Sequence, residues 1–379
     1  MAVSQFGECT WYPIKSGHEC PICHTKKGRC SIFAKKNGEV VIYRCKYVSS
    51  NKPALDGWYD HLASELNGST VQKINIDDIS YKNEPITEEL LIIWNKVYRK
   101  FRDISTQLSG SALSENHYAN LLSRGLDKNS IINLGCFSIP GNTKITYSTY
   151  QCSLRTAITN ELLKSFTPET LIRVPGFRKV EVKGKKTYIT FKNTMKDKNS
   201  NSYVDIDGFF IPYEDYLGRL VGMQYRLTTK LLDDKGKPIR YLWYASKNNS
   251  CSSPIDYHIP NIINTDDAIL VTEGALKAKI ASEKLGIRSL AEAGVSNYRR
   301  LIKELQLIEK HENKKYKIIL ALDMDKYTNI DVATAEISTV SMLKSLGYSV
   351  ALLEWNIAEG KGVDDKLKIS SNNFRFLSV

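Results

Sequence analysis

The chain has 379 residues, 42% hydrophobic and 25% charged, with 53 Lys and Arg against 41 Asp and Glu, a formal charge of +12. No run of about 18 apolar residues occurs, and the opening MAVSQFGECTWYPIK has neither an apolar core nor a cleavage pattern, which excludes a membrane span and a signal peptide. A cytoplasmic chain of two or three domains is expected, its eight cysteines reduced rather than paired, with a polyanion such as nucleic acid as the first candidate partner.

Four cysteines fall in GHECPICHTKKGRCSIFAKKNGEVVIYRCKY. Cys20 and Cys23 form a Cys-x-x-Cys knuckle, and Cys30 and Cys45 follow. Asn37-Gly38, between β-branched and aromatic runs, predicts a hairpin that returns its last strand toward the knuckle. Thiolates so gathered make the closed tetrahedral site of a zinc ribbon, a structural Zn²⁺ site. Cys9, His18 or His24 is near enough to replace Cys30 as third ligand. A redox Cys-x-x-Cys is the alternative, without the strand–helix context of that chemistry. Lys26, Lys27, Arg29, Lys35 and Lys36 make this loop basic, which suits nucleic acid and plain solvation alike. The module is placed at residues 1–66 and a polar linker at 67–86.

Residues 87–260 are expected to form a basic subdomain of helices and strands. Thr87 caps a helix, with Glu88 and Glu89 in its first turn and Leu90, Trp94, Val97, Phe101 and Ile104 at helical spacing. A second helical unit starts at Ser114, breaks at Arg124-Gly125 and resumes at Asp127. Its outline is helix-turn-helix, but no base-reading set stands on its second helix, so it is read as a structural hairpin. From about Ile172 the pattern turns β, with a basic hairpin around Lys183-Gly184 and strands at 208–213, 219–227 and 239–244. Arg226 ends one strand, Arg240 and Tyr241 open the next, and Lys247 lies just past it. With Tyr225 and Trp243, these side chains suit a groove that grips phosphates and stacks bases, or a sheet whose aromatics are core.

From 261 to 379 strands and helices alternate: strand 268–272, helix 275–285, a short strand in IRSLAEAG, a helix from a Ser296 cap to 308, strand 316–322, helix 330–346 closed by Gly347, and the strand YSVALLEW. This predicts a mostly parallel, doubly wound sheet. Carboxylates stand at three expected strand ends: Glu273, then Asp323 and Asp325, then Asp364 and Asp365. In a parallel sheet those ends share one edge. An extended Asp-x-Asp points both acids the same way. Clustered acids on a basic chain call for a cation, and hard oxygen ligands select Mg²⁺ or Mn²⁺.

TEGALKA resembles the strand-end glutamate motif of the Toprim domain, LALDMD its Asp-x-Asp motif, and GKGVDD the third acidic motif of primase-like members. GRLVGMQYR and GKPIRYLWYASKN resemble the DnaG-type signature of a strand ending in arginine followed by a basic-Tyr-Leu strand. CPIC, GRCSI, YRC and GWYDHL look like the zinc segment of Toprim proteins carried by plasmids and phages. The resemblance runs through most of the chain in the family's order. It implies an α/β protein with an N-terminal zinc ribbon, a mixed α+β basic subdomain and a C-terminal Toprim-type sheet. It implies a primase: a nucleotidyltransferase making short RNA or mixed primers on a single-stranded DNA template from NTPs, for replication of a mobile element. Structural Zn²⁺ and catalytic Mg²⁺ or Mn²⁺ are the implied cofactors, and a separate replicative helicase is a candidate partner. Asp323, Asp325 and Asp364 or Asp365 would hold the catalytic ion, and Glu273 would accept a proton or add a ligand. Gly274 would let phosphates approach the backbone, Lys277 and Lys361 would face the site, and Arg226, Arg240, Tyr241 and Lys247 would bind template or nucleotide. The chain departs from the family in the spacing of its zinc cysteines. No P-loop occurs, and little sequence follows Asp365, so a helicase-binding domain is expected to be absent. A Toprim nuclease and a non-catalytic DNA-binding replication factor are the alternative readings.

Overall fold

The structure is a computed structural model that describes residues 9–14, 17–26, 30–35, 37–52, 54, 58–67, 86–139, 143–181, 188–191, 194–196, 203–232, 236, 238–246, 249–292, 298–370 and 373–379. Residues 1–85 and 86–379 form two separate units.

In the first unit, β1 (Cys9–Pro13), β2 (Ser31–Lys35), β3 (Val40–Cys45) and β4 (Tyr59–Leu62) pair antiparallel in chain order, and α1 (Ala63–Asn67) follows. The expected hairpin is β2–β3; β1 was not anticipated. Alternation along the strands buries Ile32, Ala34, Tyr43 and Cys45 on one face. On the other, Trp11 packs on Phe33 with ring centroids 4.9 Å apart, and the Arg44 guanidinium lies 4.0 Å from the Trp11 ring. The expected linker falls outside the described residues, apart from Asn67 and Ile86 at its ends.

The second unit opens with α2 (Glu88–Ser109). Thr87 Oγ1 accepts from Leu90 N–H at 3.2 Å at its start, and Gly110, at φ 77°, closes it. Its apolar stripe delivers Phe101 to the centre of an aromatic core, edge-on to Phe137, Phe177, Phe191 and Phe210 at 5.0–5.8 Å. The helical hairpin is α3 (Glu115–Leu122) and α4 (Lys128–Asn133), with Asp127 Oδ1 accepting from Ser130 N–H at 2.7 Å. Ser114 does not cap α3 with its side chain; its hydroxyl meets His117 Nδ1 at 2.7 Å.

After β5 (Phe137–Ser138), β6 (Lys144–Tyr147) and β7 (Tyr150–Ser153) come two helices that the sequence reading did not contain, α5 (Leu154–Leu163) and α6 (Pro168–Ile172). Ser153 and Thr167 cap them, and α5 buries Leu154, Ala157, Ile158 and Leu162. The basic hairpin is β8 (Phe177–Val180) with β9 (Tyr188–Phe191); Lys183-Gly184 lies outside the described residues. A short hairpin, β10 (Thr194–Lys196) with β11 (Tyr203–Asp205), precedes an antiparallel sheet. That sheet has the order β14-β13-β12-β5, built from β12 (Gly208–Glu214), β13 (Leu220–Leu232) and β14 (Pro238–Trp243).

A six-stranded sheet follows, in the order β15-β17-β16-β18-β19-β20. Its strands are β15 (Asp256–His258), β16 (Thr265–Glu273), β17 (Ile287–Glu292), β18 (Lys317–Leu320), β19 (Val350–Glu354) and β20 (Arg375–Ser378). The four central strands are parallel, and both edge strands, unannounced by the sequence, are antiparallel. The helices are α7 (Ala275–Leu285), α8 (Tyr298–Glu312), α9 (Ile330–Ser345) and α10 (Val363–Ile369). Alternation in β16 sends Ile269 and Val271 to a core shared with Leu301 and Leu305 of α8 and Leu343 of α9. Ala268 and Leu270 join Ala281 of α7 and Leu367 of α10. Helices therefore cover both faces, and the carboxyl ends of the parallel strands share one edge.

One buried ion pair ties α7 to this frame. Lys279 Nζ stands 3.1 Å from Asp256 Oδ1, which also accepts from Glu214 N–H at 2.8 Å. Both side chains are fully buried; burial pushes the Asp256 carboxyl up and the Lys279 ammonium opposes it. Lys279→Ala would strand a buried carboxylate, so a loss of about 3–5 kcal/mol in urea unfolding is expected. Lys279→Met combined with Asp256→Asn should recover much of that loss. A single variant as stable as the wild type would count against the pair as a weld.

Candidate active site

Glu273 ends β16 and Gly274 turns the chain into α7 at φ 77°, with open space where a Cβ would stand. Gly274 N–H donates to Glu292 O at 2.7 Å, which fixes this turn against the end of β17. Lys277 lies one turn into α7.

The Asp-x-Asp segment differs from the extended geometry expected of it. β18 stops at Leu320; Asp323 is extended, but Asp325 sits in a 3₁₀ turn, Met324–Tyr327. The buried Met324 side chain anchors that turn, and Met324 N–H donates to Lys361 O at 2.9 Å. Asp364 and Asp365 also differ from expectation. They stand not at a strand end but in the first turn of α10, beyond the end of β19. Successive helical residues diverge by about 100°. Asp364 is accordingly buried and Asp365 exposed, though the Asp364 carboxyl is raised by burial and also by the charge of Asp365.

The structure brings Glu273, Asp323, Asp325 and Asp364 together with Lys277 and Lys361. The Lys277 ammonium pairs with Asp323. Lys361 Nζ lies 2.7 Å from Asp325 Oδ2 and 3.5 Å from Asp323 Oδ2. Gly362 permits this crowding, since a Cβ there would stand 2.8 Å from Asp364 Oδ1 and 2.9 Å from Lys277 Cε. Burial pushes the Glu273 carboxyl up, the charge of Asp323 adds to it, and Lys277 and Lys361 oppose it. Burial likewise raises Asp364, against Lys277 and Arg124. Glu273 Oε1 and Asp325 Oδ1 are buried with no hydrogen-bond partner among the described residues. Carboxylate oxygens with unused lone pairs are the donor type hard divalent cations take, although among the described residues it is the four cysteines that are gathered closely enough to hold an ion.

Two residues here escaped the sequence reading. Arg124, in the turn after α3, donates from Nη1 to Asp364 Oδ2 at 2.8 Å across a separation of 240 residues. Glu292 ends β17 in register with Glu273, and burial together with the Glu273 charge pushes it up to about 8. Glu292 signals itself only as a strand-end acid beside another; nothing local marks Arg124. The raised carboxyl fixes a sign. Native protein favours protonated Glu292, so its contribution is complete below the ordinary carboxylate range and lost as pH rises through about 8. Without added divalent ion, Glu292→Gln should gain on the order of a few kcal/mol relative to wild type between pH 5 and 9. Parallel melting-temperature profiles for the two proteins would contradict this.

A basic flank adjoins the acids. Arg226 is half-buried, and its guanidinium lies 4.9 Å from the Tyr241 ring. Burial lowers its pKa; Arg124 and Arg240 lie near enough to add to that, while Tyr241 and Asp364 oppose it. Tyr241 is 42% exposed, whereas Tyr225 is core and Trp243 packs 4.8 Å from Tyr213. Of these aromatics, Tyr225 and Trp243 are packed in the protein, and Tyr241 is the one exposed beside Arg226. Lys247 lies outside the described residues.

In the first unit, the sulfurs of Cys20, Cys23, Cys30 and Cys45 all lie within 4.8 Å of one another. Cys23 and Cys30 are 3.7 Å apart, and Cys30 and Cys45 3.8 Å. Tetrahedral Zn–S bonds of about 2.3 Å set sulfurs about 3.8 Å apart, so these thiols fit that ion. Cys9, His18 and His24 stand outside the group; His24 Nδ1 meets Glu19 Oε1 at 2.9 Å.

A family model described as a domain of unknown function, DUF3854, matches residues 261–373. No curated protein matches the chain. Among solved structures it is similar to the DnaG primase catalytic domain bound to single-stranded DNA, at 15% identity and TM-score 0.47, over 76% of this chain and 80% of that one. It is similar to the RNA polymerase domain of Mycobacterium tuberculosis primase DnaG, at 15% identity and TM-score 0.46, over 75% and 80%. It is also similar to the Aquifex aeolicus primase, zinc-binding and RNA polymerase domains, at 15% identity and TM-score 0.43, over 99% and 82%.

Proposed function

We propose that the chain is a DNA-templated primase with a Toprim-type catalytic core, polymerising nucleotides into short primers on single-stranded DNA. The observation that carries this is the convergence of Glu273, Asp323, Asp325 and Asp364 beside Arg124 and Arg226. The Toprim-like motifs noted in the sequence supply the same acids. Asp323, Asp325 and Asp364 would hold Mg²⁺ or Mn²⁺, which when bound would stabilise charge on the transferring phosphoryl group. Glu273, in its buried recess, takes the proton of the attacking 3′-hydroxyl. Gly274 leaves open space in which a phosphate meets backbone rather than a side chain. Arg226 and Arg240 grip phosphates of template or nucleotide, and the Tyr241 ring offers a stacking face. Asp365, turned to solvent, has no part in this scheme.

In the same reading residues 1–66 are a zinc module that holds template, 87–260 a polymerase subdomain and 261–379 the Toprim domain. On that reading the chain acts in the cytoplasm in replication of a mobile element, a role supported by the likeness of its zinc segment to that of Toprim proteins carried by plasmids and phages. The test is incorporation of labelled NTPs on single-stranded DNA with Mg²⁺ or Mn²⁺. Template-dependent short products are expected. Tight DNA binding without product, under either metal, would overturn the proposal. Nicking of plasmid without nucleotides would favour a nuclease instead.

A further inference from the structure

Among the described residues three cations pair with the acids, and they are not equivalent. Lys277 and Arg124 reach in with side chains 20% and 18% exposed, each paired with one acid. Lys361 is 56% exposed and touches two acids, Asp323 and Asp325. Its root is pinned: its carbonyl accepts from Met324 N–H at 2.9 Å. Gly360 and Gly362 hold the same loop close, where added Cβ atoms would come 2.6 Å from Asp365 Cβ and 2.8 Å from Asp364 Oδ1. The backbone is therefore fixed beside the Asp-x-Asp turn while a flexible four-carbon stem stands in solvent. An ammonium bridging two carboxylates takes the electrostatic place of a hard cation between them.

We propose that Lys361 is a placeholder cation. Its ammonium balances Asp323 and Asp325 until a divalent ion arrives, yields that place to the ion, and swings to the phosphates of the incoming nucleotide. The inference rests on the metal-dependent reading above. Its consequences have opposite signs for two ligands. Loss of the ammonium removes a competitor, so the ion binds more tightly. The same loss removes a phosphate contact, so a triphosphate binds more weakly once the ion is in place. A lysine that only props its loop, or that helps assemble the acid pair, gives no tighter ion binding when removed.

The experiment titrates the full chain, as purified and without DNA, with Mn²⁺, reading free Mn²⁺ by electron paramagnetic resonance. Wild type, Lys361→Met, Lys361→Arg and Asp325→Asn are compared, with thermal melting as a check on folding. Lys361→Met is expected to bind Mn²⁺ about fivefold more tightly, as removal of a partly exposed ion pair allows. Lys361→Arg should stay near wild type, and Asp325→Asn should lose the site. With Mn²⁺ saturating, a fluorescent ATP should bind Lys361→Met about tenfold more weakly, the loss of one charge-assisted contact. Equal or weaker Mn²⁺ binding by Lys361→Met, with binding still abolished in Asp325→Asn, overturns the placeholder and leaves the metal reading standing. No Mn²⁺ site in any variant, or one indifferent to Asp325→Asn, overturns both. Tighter Mn²⁺ with unchanged nucleotide binding overturns the transfer to phosphate.

Discussion

Asp323→Asn with Asp325→Asn is expected to make no primer, with incorporation of labelled ribonucleotides on single-stranded DNA falling at least about 10³-fold, some 4 kcal/mol in the barrier. Asparagine keeps the shape of each side chain and removes its charge, so the change acts on cation binding rather than on packing. Asp323 is buried against Lys277, and Asp325 presents one oxygen with no described partner, so neither charge is replaceable by a neighbour. The variant leaves Lys277 and Lys361 without their hydrogen-bonded carboxylates, with Glu273 near both and Asp364 near Lys277, which makes the site less hospitable to a divalent ion. Asp365→Asn, one residue from Asp364 but exposed, should retain most activity. A double variant that still extends primers would remove the acids from the chemistry and the proposed function with them.

Cys45→Ser is expected to cost the first unit its metal and its fold together. Cys45 is fully buried on β3, one of the four thiols of the group and 3.8 Å from Cys30. Structural zinc binding contributes roughly 10–16 kcal/mol of apparent folding free energy, more than a four-stranded unit of this size supplies from its core. Elemental analysis should show the bound zinc falling to near zero. Limited proteolysis should then cut within residues 1–85 and leave 86–379 intact. Cys9→Ser, on β1 and outside the group, should keep its ion. A Cys45→Ser protein with full zinc content would refute the four-thiol site.

The parts of the fold that were legible are those with a local cause. Asn37-Gly38 announces β2–β3, Thr87 announces α2, and Gly274 and Gly347 mark where α7 begins and α9 has ended. The parts that were not legible depend on partners distant in sequence. β15 and β20 are short edge strands that exist only because a parallel sheet is already there to pair with. α5 and α6 carry good serine and threonine caps, but the sequence reading passed over residues 154–172, and α6 is only five residues long. The acids were found because their motifs are short and contiguous. Their geometry was misjudged at Asp325, where an extended chain was expected and a 3₁₀ turn stands, and at Asp364 and Asp365, where a strand end was expected and a helix stands. Tyr225 and Tyr241 show the limit of composition. Both are tyrosines near strand arginines, and only the register of β13 against β14 decides which becomes core.

The hydrogen bond from Arg124 to Asp364 spans 240 residues. Entropy lost in closing so long a loop must be met before the contact gives anything back, so this bond belongs among the last to form. Until the α3–α4 hairpin docks, Asp364 lacks its hydrogen-bonded arginine and keeps only the nearby charge of Lys277. The centre is therefore incomplete until the beginning and the end of the second unit have met. In that sense the ion pair ties the gathering of the acids to the docking of the α3–α4 hairpin.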